Sequence, residues 1–81
     1  GGPHIEKLAL KGSKNKYNFP RPMLNSGDLN LSFSGLKTAV LYQVQKIQDL
    51  NDDVKADIAA SFQNAAIEIL VAKIKKAIIQ F

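Results

Sequence analysis

The chain has 81 residues, of which 46% are hydrophobic and 22% charged, a globular composition long enough for one domain or a piece of one. With no Cys there is no disulfide, thiolate metal site or Cys nucleophile, and the single His4 argues against a metal cage built from this chain alone. The net charge of +4 lies in the first half: residues 1–40 carry six bases and two acids, residues 41–81 five of each.

Gly1-Gly2-Pro3 opens the sequence, with Pro where a first helical turn tolerates a missing N–H. Ile5, Leu8 and Leu10 predict a short helix with an apolar stripe through about Lys11, and Gly12 is placed to stop it. Phe19-Pro20-Arg21-Pro22 must be extended, because a residue before Pro is pushed out of the helical region. Tyr17 to Phe19 reads as a short strand. Leu29, Leu31 and Phe33 alternate with Asn30, Ser32 and Ser34, the period-two pattern of a second strand. The two would pair as a ribbon turning around Asn25–Asp28.

Ser34 has the chemistry of an N-cap, and Leu36, Val40, Val44 and Ile47 then recur at helical spacing, predicting a helix over 35–49. Asn51-Asp52-Asp53 caps the last helix and puts carboxylates at its positive end. Its inner stripe is Ile58, Phe62, Ala65 and Ile69, while Asp57, Ser61, Asn64, Glu68 and Lys75 are expected outside. Past Ala65 the apolar arc widens to Ile67, Leu70, Val71, Ile74 and Ile78, and such a helix must be covered on most sides. It also reaches Phe81 without a stop signal. The expectation is an α+β, mostly helical fragment of a larger protein. It divides into a turn and helix (1–12), a loop and ribbon (13–34), and helices over 35–49 and 52–80.

The chemistry by residue type is thin. There is no Gly-x-Ser-x-Gly, His-Glu-x-x-His or Walker-type loop, and the adjacent Asp52 and Asp53 suit capping better than acid/base work. Ser32-Phe33-Ser34-Gly35 before a helix could meet an anion, though capping explains the same residues. Lys7, Lys11, Lys14, Lys16 and Arg21 interleave with Tyr17 and Phe19, so phosphate neutralisation with base stacking is one reading. A solvated loop with its aromatics turned inward is the other. The run Ile69-Leu70-Val71-Ala72 is far short of a membrane span, and no apolar core of a secretion signal follows the N-terminus.

Four blocks then occur in order: Gly1-Gly2-Pro3 with Ile5-Glu6-Lys7-Leu8-Ala9; Phe19-Pro20-Arg21-Pro22-Met23; Ser32-Phe33-Ser34-Gly35-Leu36-Lys37-Thr38-Ala39-Val40; and Asp57-Ile58-Ala59-Ala60-Ser61-Phe62-Gln63. Together they resemble the central stretch of the TsaD family (also YgjD or Gcp, formerly O-sialoglycoprotein endopeptidase), in its bacterial and organellar form. The resemblance implies part of the second lobe of an ASKHA (actin-like ATPase) fold. It also implies a cytoplasmic enzyme that moves a threonylcarbamoyl group from threonylcarbamoyl-adenylate to the adenosine beside the anticodon of tRNAs reading codons that begin with A. The bacterial partners would be TsaB and TsaE, with tRNA as substrate and neither membrane nor DNA involved. The family's iron or zinc ion is held by an HxxxH motif and a distant Asp, and its nucleotide pocket uses a Ser-Gly-Gly-His segment; none of these is in this chain.

Two pocket positions carry over from the resemblance. Gly2 matches the second glycine of a Pro-Gly-Gly-Pro turn that contacts the adenylate, and Glu6 matches an acidic nucleotide ligand of many members. Catalytic and metal residues are expected elsewhere, and this chain alone is expected to be inactive. Asn30 stands where the family usually has Asp, and Leu31 where it has Phe; Ser32, Ser34 and Lys37 match motif positions without an assigned role. Without the resemblance, the residues leave two alternatives: a small basic helical module binding RNA through Lys7–Arg21, or an interaction element whose last helix seeks a partner protein.

Overall fold

In a computed structural model the described residues are 2–22 and 29–80, with the side chains of Gly2–His4, Leu8 and Gln80 left aside. They form three helices: α1 (Gly2–Lys11), α2 (Leu29–Lys46) and α3 (Asp52–Gln80). At about 1.5 Å per residue, the 29 residues of α3 account for most of the 46 Å long axis. α3 is the spine: among the described residues α1 and α2 each pack on it and make no close backbone approach to each other.

The mostly helical reading holds, but among the described residues there is no strand. Leu29–Phe33 is the opening of α2, and Tyr17–Phe19 is irregular backbone. The reason is a coincidence of periods. Leu29 and Phe33 alternate with polar neighbours, yet they also sit three to four residues apart on one line with Leu36, Val40, Val44 and Ile47. The residue that separates the two readings is Leu31, which a half-buried strand would bury and which is 55% exposed here. Leu29 and Phe33 pack against the core, and Leu36 is fully buried. The helix thus extends six residues earlier than Gly35 and stops at Lys46 rather than Asp49. Ser34 is consequently not a cap: it lies inside α2, where its carbonyl accepts a hydrogen bond from Thr38 Oγ1 at 3.0 Å. The expected turn at Asn25–Asp28 and the final Phe81 lie outside the described residues.

Asn51 caps α3 with its side chain, Oδ1 accepting from Val54 N–H at 2.9 Å, while Asp52 and Asp53 stand exposed in the first turn. The core is built on the α3 stripe Ile58, Ala65 and Ile69 with Leu36 of α2 and Phe19 of the connecting loop, and Phe62 is partly buried against it. Beyond Ala65, Ile67, Leu70, Val71, Ile74, Ile78 and Ile79 are exposed. Leu10 is not part of the α1 stripe; it is 88% exposed.

The small residues Ala56, Ala59 and Ala60 are buried along α3 and let the α1 end of the chain come close. Closest is Gly12, where an added Cβ would lie 2.0 Å from the Ala56 carbonyl oxygen and 2.6 Å from Asp57 N. Gly12 therefore does more than end α1. It is the point at which backbone meets backbone.

Candidate functional site

After Gly12 the chain turns tightly over Ser13–Lys16, with Lys16 N–H bonded to the Ser13 carbonyl at 3.3 Å. Both ends of the turn are fastened to α3. Asp57 Oδ1 accepts from Ser13 N–H at 2.8 Å, and one turn further on Ser61 Oγ accepts from Tyr17 N–H at 3.1 Å while donating to the Ser13 carbonyl at 3.2 Å. The loop then stacks Tyr17 on Phe19, with ring centroids 5.9 Å apart and planes 17° from parallel, and buries Phe19. Arg21 ends the seat: its Nε pairs with Glu68 Oε2 at 2.5 Å, and its Nη1 donates to the Phe19 carbonyl at 2.6 Å and Asn18 Oδ1 at 3.1 Å.

Asp57, Ser61 and Glu68 were expected on the outer face of α3. Glu68 is exposed as expected, Asp57 is half-buried and Ser61 is fully buried, and all three hold loop 13–21. Polar residues spaced 57, 61, 64 and 68 mark one helix face, but a sequence does not show that another segment will lie on that face. The signal that could have found it is Ser61 directly after the small pair Ala59-Ala60, which leaves room for a backbone to approach.

The basic stretch divides accordingly. Arg21 is held by Glu68 and the loop, and the aromatics between the bases face the core, which removes the stacking half of the expected nucleic-acid pattern. Lys7, Lys11, Lys14 and Lys16 are exposed. The anion-binding turn at Ser32–Gly35 is not formed either: those residues lie inside α2, where N–H groups bond along the helix. Ser32 is buried, its Oγ without a hydrogen-bond partner among the described residues, and Gly35 faces the Pro22 ring, 3.2 Å from where a Cβ would stand.

Glu6 is exposed on α1 at the lip of an open cleft of about 380 Å³ whose lining includes Ile5, Phe33, Phe62 and Gln63. A neighbouring cleft of about 400 Å³ lies between Ile5, Val40, Val44, Ile58 and Phe62, with Lys37 and Lys55 among its lining. Ile5 and Phe62 belong to both. Gly2 opens α1, one helical turn before Glu6, so the two share a helix face about 6 Å apart along the axis. Among the described residues no three His, Cys, Asp or Glu side chains converge as a metal site would require.

The described geometry is thus an open cleft with one carboxylate at its lip, beside a basic loop strapped to a long helix. The TsaD family profile, tRNA N6-adenosine threonylcarbamoyltransferase, matches residues 1–80, and the chain belongs to that family. A tRNA N6-adenosine threonylcarbamoyltransferase of Thermosipho africanus is 61% identical over 77 residues, covering 95% of this chain and 23% of that protein. Proteins of the same name from Rickettsia massiliae and Rickettsia bellii are 55% and 56% identical over 78 residues, covering 96% of this chain and 23% of each of them. The chain thus spans 23% of the length of these curated relatives.

Proposed function

We propose that this chain acts as part of a bacterial-type tRNA threonylcarbamoyladenosine transferase, contributing one wall of the threonylcarbamoyl-adenylate pocket and the helices that support it. The observation that carries this reading is family membership over residues 1–80 together with the placement of Glu6 at the rim of an open cleft. Gly2, at the head of α1, lets backbone approach the adenylate, and free N–H groups of the first turn are available to an anionic ligand. Glu6, one turn on and exposed, accepts hydrogen bonds from ribose hydroxyls. The helices belong to the second lobe of an actin-like ATPase fold, and the whole protein works in the cytoplasm with TsaB, TsaE and tRNA.

The family's iron or zinc does not fit the residues described here, which offer no converging ligand set, and no step is assigned to a metal on this chain. What these residues do is bind and orient the adenylate, leaving chemistry at the carbamoyl carbon to groups elsewhere in the protein.

A hybrid tests the reading. This chain replaces the matching 77 residues of the Thermosipho africanus relative, and transfer of threonylcarbamoyl to tRNA is assayed with the partner proteins present. The expected result is activity within about tenfold of that relative, falling by more than tenfold on Gly2→Val with the fold unchanged. A folded hybrid that transfers nothing, or a Gly2→Val hybrid with undiminished adenylate affinity, would overturn it.

A further inference from the structure

The charge of this chain is concentrated where the fold is most firmly pinned. Before Pro22 the bases are Lys7, Lys11, Lys14, Lys16 and Arg21, and the sole acid is Glu6. Arg21 is consumed by Glu68, so four lysines face solvent against one carboxylate on their own segment. Asp57 lies under the turn and points its Oδ1 at Ser13 N–H. Among the described residues none of the four lysines is in an ion pair.

Their arrangement is ordered as well as basic. Lys7 and Lys11 stand one turn apart on α1, which places them on one face. Lys14 and Lys16 ride on the Ser13–Lys16 turn, whose two ends are bonded to Asp57 and Ser61. Gly12 locks the junction between the pair on the helix and the pair on the turn. Ordering four flexible cationic side chains on a fixed backbone lowers the entropy lost when they meet a polyanion.

We propose that Lys7, Lys11, Lys14 and Lys16 form a track for the phosphate backbone of an RNA, read by charge and not by sequence. The proposal rests on the reading that this chain belongs to an enzyme acting on tRNA, and it names the surface that touches that substrate away from the adenylate cleft. A phosphate polymer suits the track better than a lipid surface. Among the described residues the large exposed apolar side chains gather mainly on the second half of α3, and beside these lysines only Leu10 is of that kind. With Tyr17 and Phe19 turned into the core, the contact is electrostatic, without base stacking.

The test is equilibrium binding of the 81-residue chain to unmodified tRNA across 50–200 mM salt, with phosphatidylserine vesicles in parallel. Changing all four lysines to Gln is expected to weaken tRNA binding at least tenfold at the low end and to lower the log–log salt slope by about three. Changing all four to Arg, which keeps the charge, restores both. Lys75→Gln with Lys76→Gln, also exposed, is expected to have less than a third of the effect. Should the fourfold Gln variant lose helical signal, Lys14→Gln with Lys16→Gln on the turn is judged by half those changes. Three results would overturn the track: unchanged binding by a folded Gln variant, an equal loss from the Lys75 and Lys76 changes, or vesicle binding without tRNA binding. The hybrid's transferase activity is measured separately, so an uninvolved track leaves the proposed function standing.

Discussion

Gly12 and Ala56 meet backbone to backbone: a Cβ on Gly12 would lie 2.0 Å from the Ala56 carbonyl oxygen. A side-chain neighbour could swing aside, but a carbonyl inside α3 is fixed by the helix it belongs to. Gly12→Ala is therefore expected to cost about 3 kcal/mol or more, at the top of the range for overpacking, as α1 is levered off α3. In a chain of this length about 1 kcal/mol moves the melting temperature by roughly 4–8 °C. A calorimetric melt within 2 °C of the parent would refute the close approach.

One turn along α3, Ser61 closes the strap. Its hydroxyl serves both Tyr17 N–H and the Ser13 carbonyl, so Ser61→Ala leaves two backbone groups without their partner at a fully buried position. The expected loss is about 1–3 kcal/mol, with Cys no substitute because its thiol is a weak donor. Amide exchange gives the sharper readout: the Tyr17 amide should lose its local protection, while amides in the middle of α3 should speed up only by the global loss of stability. Equal protection of Tyr17 in parent and variant would remove Ser61 from this role.

How far the sequence carried these results depends on which length scale a residue answers to. The α3 stripe Ile58, Ala65 and Ile69 was legible because helical periodicity is a local property, and all three are buried. Leu29–Phe33 misled because five residues satisfy two periods at once, and only the six apolar positions from Leu29 to Ile47 taken together favour the helix. Asp57, Ser61 and Glu68 were assigned outward for a different reason. Their partners are 44 to 48 residues away in the chain, and no window of local pattern contains both. The candidate site shares this limit: Gly2 and Glu6 were named by likeness to a family, whereas the strap that orders the lysines emerged only from long-range hydrogen bonds.

Arg21 separates charge from geometry. Its side chain is 23% exposed and that of Glu68 55%, so the ion pair is largely solvated and worth about 0.2–1 kcal/mol. The guanidinium also donates to the Phe19 carbonyl and to Asn18, contacts a single ammonium cannot reproduce together with the Glu68 bond. Glu68→Gln is expected to change stability by at most about 0.5 kcal/mol, and Arg21→Lys, which keeps the charge, by about 1 kcal/mol or more. Urea unfolding of the two variants decides between them; a larger loss from Glu68→Gln would mean that the charge pair, and not the fork, holds the loop.

Two isoleucines of α3, one in the core stripe and one on the exposed arc, make a matched pair of substitutions. Ile69 is fully buried and Ile79 is 83% exposed, so the same truncation removes very different contacts. Ile69→Ala should cost about 2–5 kcal/mol through lost burial and the cavity left behind. Total stabilities run at about 0.05–0.15 kcal/mol per residue, so this single change takes a large share of what an 81-residue chain has. Ile79→Ala should stay within about 0.5 kcal/mol. Ile78→Lys, also on the exposed arc, is expected to leave the melt unchanged and to lower light scattering at high protein concentration, since it interrupts a contiguous apolar patch. A destabilisation by Ile79→Ala comparable to that of Ile69→Ala would show that the end of α3 is covered in solution by contacts absent from this structure, and the exposed arc would then have to be redrawn as an interface.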